Sequence, residues 1–283
     1  MSLPQALAFF VALALLVAGG LAGPTVWVAL RRARVMRRPF PTGWREVLRQ
    51  RMPLYGELSP ATQRRLDQRI QVLLAELPFI GCGGLVVTEE MRVLIAAQAA
   101  LLLLERGGGF GSLRQVLLYP GAFVVDRAEH GAGGVVHESR RALAGESWQH
   151  GQVVLAWDAV QAGAAEPHDG SNVVVHEFAH QLDHETGGAN GAPFLGGAAH
   201  GARARRAGQQ RWARVMNAEY RALQTRLAQG ESGLIDAYAA SAPAEFFAVV
   251  SELFFERPDA LALAHPDLFD EMRRCYRIDP RRW

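Results

Sequence analysis

The sequence predicts an α+β fold: a small sheet, a functional centre carried by one helix, and a single membrane-spanning helix in front of them. Three observations carry that prediction. Residues 176–180 read His-Glu-Phe-Ala-His directly behind three valines. Short stretches rich in β-formers and punctuated by glycine occupy the middle of the chain, and helical periodicity dominates after them. An uncharged run of 25 residues, 6–30, comes first.

As a helix that first run would reach ~37 Å, enough to cross a bilayer with tilt. It is too long for a cleaved signal, and no basic side chain precedes it. Arg31, Arg32, Arg34, Arg37 and Arg38 follow immediately, which places the downstream side in the cytoplasm. The expectation is a single-pass inner-membrane protein, its main domain, which carries residues 176–180, facing the cytoplasm and the arginines touching anionic lipid. Without those five arginines the chain carries 25 basic against 28 acidic side chains, so a nucleic-acid partner is excluded. Two cysteines, Cys82 and Cys275, offer no disulfide framework and read as buried thiols in a reducing compartment.

Three segments follow from this reading: an anchor over 1–30, a basic juxtamembrane connector over 31–56, and the main folded domain over 57–283. Within the last, Ser59-Pro60 is an N-cap and first-turn pair ahead of Leu66, Ile70, Leu73, Leu74 and Leu77 at helical spacing. Thr88-Glu89-Glu90 opens a second helix, apolar to Leu104 and stopped by three glycines; at about 17 residues it reads as buried core. Strands are predicted over 116–119, 122–125 and 152–157, the last offering an edge to an extended peptide by β-augmentation. Helices are predicted over 171–185, over 205–228 and from Ser241 onward.

The chemistry sits on the 171–185 helix. Two histidines four apart share one helix face, ~6 Å apart along it, so both imidazoles reach one tetrahedral Zn²⁺. Glu177, beside the first, is placed to take a proton from a water activated by the metal. A catalytic zinc takes a third protein ligand, and the residues offer Asp183, Glu185, Glu245 and Glu252. Asp183, one turn past His180, suits a hydrogen bond to a ligand histidine better than ligation. Glu245 and Glu252 lie seven apart, ~10 Å along one helix face, so only one of them can ligate. Taken alone, Glu245 also reads as a first-turn acid favoured by the helix dipole, and Tyr238 as a core aromatic. Glu252 reads equally as a support for a ligand or as a surface acid.

Several stretches together resemble the zinc peptidases of the Mlc titration factor A (MtfA) family. They are Leu-Tyr-Pro-Gly-Ala-Phe-Val-Val at 118–125, Ser-Trp-Gln at 147–149, His-Glu-Phe-Ala-His-Gln-Leu-Asp at 176–183 and Asn-Gly-Ala-Pro-Phe at 190–194. Ile-Asp-Ala-Tyr-Ala-Ala-Ser at 235–241, Pro-Ala-Glu-Phe-Phe-Ala-Val at 243–249 and Ser-Glu at 251–252 complete the set. The Tyr-x6-Glu spacing from Tyr238 to Glu245 also looks like the catalytic domain of anthrax lethal factor. The resemblance covers roughly residues 39–280 and implies a zincin-like metallopeptidase domain. In it Glu245 is the third ligand after His176 and His180, Glu177 the general base, and Tyr238 the residue facing the reacting carbonyl. It further implies aminopeptidase-like action on small peptides. The family name also implies a runner-up: a regulatory module that binds a transcriptional repressor, with peptidase activity secondary. The N-terminal membrane helix departs from the soluble members of that family.

Overall fold

The computed structural model describes residues 5, 23, 25–130, 136–143, 145–148, 151–195 and 201–283. Its elements are mostly helical. Helix α1 covers 25–36 and is followed by α2 (Thr42–Arg51), α3 (Pro53–Glu57) and α4 (Pro60–Glu76). Strand β1 (Phe79–Gly81) leads to α5 (Glu89–Leu101) and β2 (Gln115–Tyr119). Strands β3 (Phe123–His130), β4 (Val136–Leu143), β5 (Gly145–Trp148) and β6 (Gln152–Ala156) come next. The helices α6 (Trp157–Ala165), α7 (Val173–Asp183), α8 (Ala202–Ala228), α9 (Pro243–Glu256), α10 (Pro258–Ala264) and α11 (Pro266–Tyr276) complete the chain.

The α+β expectation is therefore corrected to a mostly helical fold with a small, mainly parallel sheet. The sheet order is β1-β2-β6-β5, with β1, β2 and β6 parallel and β5 antiparallel on the edge. Parallel neighbours cannot be joined by a tight turn and need long crossovers. Helix α5 supplies the first crossover. The second runs through β3 and β4, which form a separate antiparallel pair in register from Phe123↔Leu143 to His130↔Val136. Strand β6 lies between β2 and β5, so the edge expected there for a peptide belongs to β5.

The membrane expectation is corrected as well. Among the described residues no helix is long and apolar enough to cross a membrane, which removes the support for a single-pass inner-membrane placement and a membrane partner. Most of the apolar run, residues 6–22 and 24, lies outside the described residues. Its basic flank is engaged with protein. Arg31 donates to the Ala75 carbonyl at 2.9 Å, and Arg32 donates twice to Glu76 at 2.7 and 2.8 Å, at the end of α4. These are two of the charges that the sequence reading assigned to lipid.

Local signals explain the helix ends. The Ser59 hydroxyl accepts from the Thr62 amide and Pro60 fills the first turn of α4. Thr88 caps α5 through the Met91 amide, with Glu89 and Glu90 in the first turn. The stretch 31–56, read in the sequence as a connector, is mostly helical and sends Leu48, Met52, Leu54 and Tyr55 into the same core as α4 and α5. Helix α5 is buried along its length from Val93 to Leu101 and lies against α7, so the motif helix rests on an apolar floor.

Helix α9 is the second wall of the site and is apolar nearly all round. Phe246, Phe247, Val250 and Phe254 are fully buried. Phe247 meets Trp212 edge-on at 5.8 Å between ring centres and stacks on Tyr276 at 6.4 Å. Such a site collapses little when emptied, so Phe247→Ala should cost about 3–5 kcal/mol in urea unfolding. A loss below about 1 kcal/mol would show that α9 is not anchored by this packing.

Candidate active site

The start of α7 is fixed before any histidine appears. Asn172 caps the helix: its side-chain oxygen accepts from the Val175 amide at 3.0 Å, and its amide nitrogen donates to the Gly163 carbonyl at 3.1 Å. Beyond the cap, helical spacing turns His176 and His180 toward α9, with ring centres 4.9 Å apart and nearly perpendicular planes. Glu177 is buried yet lines the adjoining cleft.

Helix α9 answers with carboxylates. Glu245, in its first turn, brings Oε2 to 3.0 Å from His176 Nε2 and 3.3 Å from His180 Nε2. The two Nε2 atoms are 3.2 Å apart. The three atoms thus form a nearly equilateral triangle, and they are the group of described residues able to hold a metal ion. A tetrahedral ion with metal–ligand bonds of ~2.0–2.1 Å separates its ligands by about 3.4 Å, close to the triangle observed. Two imidazole nitrogens and a carboxylate oxygen facing one point are three lone-pair donors with little reason to meet unless a cation joins them.

Two turns further along α9, Glu252 takes His176 from the other side. Its Oε1 lies 2.7 Å from His176 Nδ1, and its Oε2 accepts from the Asn172 amide at 2.6 Å. A ring that donates Nδ1–H to a carboxylate keeps its Nε2 lone pair directed at the ligand point. One helical turn beyond, Glu256 Oε2 accepts from the Gly170 amide at 2.9 Å. Burial pushes the Glu256 carboxyl up to about 9, so it is uncharged at neutral pH.

The charges are arranged around His176. Burial works against its charged form, but hydrogen bonds to Glu245 and Glu252 outweigh that and push it up to about 10. Burial works in the same sense against Glu245, whose carboxyl is nevertheless held well below its ordinary range by His176 and His180. A proton shared among these groups stands where a cation would.

The remaining sequence candidates fall in distinct places. Tyr238 is on a 3₁₀ turn (Ala237–Ala240) capped by Asp236, which accepts from the Tyr238 amide at 2.7 Å. Its ring is 49% exposed and centred 6.1 Å from the His176 ring. Glu185 is turned to Arg106 at 2.8 Å. Asp183, fully buried, accepts from the amides of Gly191 and Ala192 at 2.6 and 2.7 Å. Tyr238, His176 and Glu177 line one cleft of about 480 Å³, together with Asp169, Asp236 and Arg257.

Two site residues escaped the sequence reading. Asn172 is a residue type suited to a helix cap, though the predicted helix began one residue earlier, and nothing local marks it as a partner of Glu252, 80 residues away. Gly191 was quoted only within a motif, and its backbone explains itself only in three dimensions. It has φ +73°, and a Cβ there would stand 2.5 Å from the Pro243 carbonyl oxygen. Asp183 thus pins a loop whose glycine seats against the first residue of α9, two residues before Glu245.

An H-E-x-x-H helix facing a carboxylate from a later helix, with a tyrosine and a cleft beside them, defines a protein of the metallopeptidase class. The comparisons agree on that class. The family model described as glucose-regulated metallo-peptidase M90 matches residues 27–277, and the chain belongs to that family. It is 34% identical over 241 residues to Mlc titration factor A of Serratia proteamaculans, covering 84% of this chain and 87% of that one. The corresponding figures for Mlc titration factor A of Yersinia pestis are 33% over 248 residues, 85% and 87%. A Synechocystis protein named only as uncharacterized is 40% identical over 256 residues, 90% of each chain.

The Gly191 seat yields a prediction. Gly191→Ala introduces both a strained φ and a clash with backbone, so the start of α9 must shift. Metal affinity should fall by roughly 10–100-fold, as for other changes behind the ligands, while the fold persists by circular dichroism. Unchanged affinity, read by competition with a chromophoric chelator, would separate this loop from the site.

Proposed function

We propose that the chain is a zinc-dependent peptidase in which His176, His180 and Glu245 hold the metal. The observation that carries this reading is the triangle of 3.0, 3.2 and 3.3 Å made by their three ligand atoms. Imidazole and carboxylate donors at tetrahedral spacing suit Zn²⁺. Bound there, zinc polarises a carbonyl and lowers the pKa of a water.

The protein's own groups do the rest. Glu177 accepts the proton of the attacking water and passes it to the departing amine, restoring its carboxylate. Its place beside His176, on the wall of the cleft, supports this role. Tyr238 donates its hydroxyl proton in a hydrogen bond to the oxygen that gains charge as the carbonyl carbon becomes tetrahedral. Glu252 keeps the His176 ring in the tautomer and orientation that ligation needs, and Asp183 acts through the Gly191 loop on Glu245. The substrate is a peptide, and the family resemblance supports aminopeptidase-like action on small ones.

The relatives' name, Mlc titration factor A, supports a second reading in which the chain binds a transcriptional repressor and cleavage is secondary. Buried Glu177 beside the ligand set favours the enzyme, because binding alone needs no general base.

Glu177→Gln separates the two readings. Zinc content should stay near normal while peptide hydrolysis falls by roughly two or more orders of magnitude. Wild-type turnover in the zinc-loaded variant would sink the mechanism. His176→Ala, His180→Ala and Glu245→Ala should each empty the site by metal analysis.

The charge arrangement sets a pH dependence. In the metal-free protein, a His176 pKa raised from 6.5 to about 10 stabilises the fold fully below pH 6.5. That contribution is lost as pH rises through about 10. Zinc must displace the same proton, so its apparent affinity should tighten about tenfold per unit from pH 7 to pH 9. Affinity that is flat over this interval, after correction for the buffer's own zinc binding, would contradict the assignment.

A further inference from the structure

We propose that Arg257, at one end of the cleft beside Tyr238, receives a carboxylate that the substrate peptide carries beyond the cleaved bond. This selectivity rests on the peptidase reading of the same cleft and adds what its substrate must carry.

Arg257 is the one arginine or lysine lining a cleft whose other charged side chains are mainly acids. Those acids are already engaged. Asp169 accepts from the Ser171 amide at 2.8 Å, and Asp236 from the Tyr238 amide at 2.7 Å. Glu252 is divided between Asn172 and His176. The Arg257 guanidinium, by contrast, has no hydrogen bond or ion pair among the described residues. A guanidinium left open on a cleft wall can take an incoming carboxylate through its two-pronged fork.

The arginine is also held in place. Its amide donates to the Leu253 carbonyl at 2.8 Å and its carbonyl accepts from the Leu261 amide at 3.0 Å, so it forms the corner between α9 and α10. Pro258 disfavours helical backbone at the residue before it, which ends α9 there. The stem lies over Gly170, where a Cβ would stand 3.1 Å from both Arg257 Cδ and Leu253 Cδ2. Gly170 has φ +95°, a conformation that suits glycine, and its bare backbone leaves the stem room along the cleft wall.

Val249 and Leu253, between Glu245 and Arg257 on α9, make the intervening wall apolar, and Val173 and Leu234 line the same cleft. Arg257 stands five residues past Glu252, ~7 Å along the helix axis. An extended chain covers ~3.3 Å per residue, so a carboxylate about two residues beyond the cleaved bond reaches it. An apolar residue followed by a carboxylate fits this wall. A chain terminus and an acidic side chain offer the same group.

The test compares two pairs of peptides on the zinc-loaded full chain. One pair is Ala-Leu-Ala as free acid and as amide; the other is the amides of Ala-Leu-Glu and Ala-Leu-Gln. In at least one pair the carboxylate member should be cleaved with kcat/KM about tenfold higher, the gain lying in KM. The pair that shows it tells whether the chain terminus or an acidic side chain is read. Arg257→Gln should keep its zinc and shrink that ratio to about twofold or less. Calorimetric titration of zinc-loaded Glu177→Gln with the same peptides reads the ratio in Kd without turnover. Discrimination in Kd without cleavage by the wild type would support Arg257 and sink the peptidase reading alone. Equal values within both pairs, a ratio that survives Arg257→Gln, or no binding of any of the peptides would overturn the proposal.

Discussion

The contact from which the site is built is the carboxylate of Glu252, shared between the backbone at the start of α7 and the ring of His176. One oxygen takes the Asn172 amide at 2.6 Å and the other takes Nδ1 at 2.7 Å. A single buried acid therefore sets where α7 begins and how its first histidine is turned. Severing a buried charge-assisted pair of this kind leaves a charge without compensation, which is why both ends hold so firmly. Glu256 repeats the device on Gly170 a turn later, in its uncharged form.

Much of this centre was legible because its grammar is local. The H-E-x-x-H spacing, the Ser59 and Thr88 caps and the valine run ahead of His176 all act within one or two helical turns. The choice among Glu245, Glu252 and Asp183 was not local. Periodicity placed Glu245 and Glu252 on one face of α9, and the family resemblance favoured Glu245. Only the folded chain shows that one imidazole spans both, Nε2 toward Glu245 and Nδ1 toward Glu252. Asp183 lies one turn past His180, yet the hydrogen bonds traced for it run to a loop at 191–192 that no helical wheel could reveal.

The misreadings have physical causes too. Strands 116–119 and 152–157 were found, but parallel pairing depends on crossovers, and nothing in a short apolar run says whether its neighbour is parallel. Helices α2 and α3 were missed because their apolar positions are few and contribute to a core assembled from distant segments, and α6 because a short alanine-rich run gives no clear helical period. The long uncharged run with arginines behind it satisfies the rules for a spanning helix. Those rules cannot see that Arg32 has a protein partner in Glu76.

Helix α9 works as a ruler. Its seven-residue interval between Glu245 and Glu252 equals two turns, and the two ring nitrogens of one imidazole are matched to that length. Adding or deleting one residue inside the interval would swing one acid by 100° around the axis, and no rotamer of His176 would meet both. A variant of this chain that keeps both contacts must therefore keep seven residues between the two acids, whereas no such count binds its surface connections.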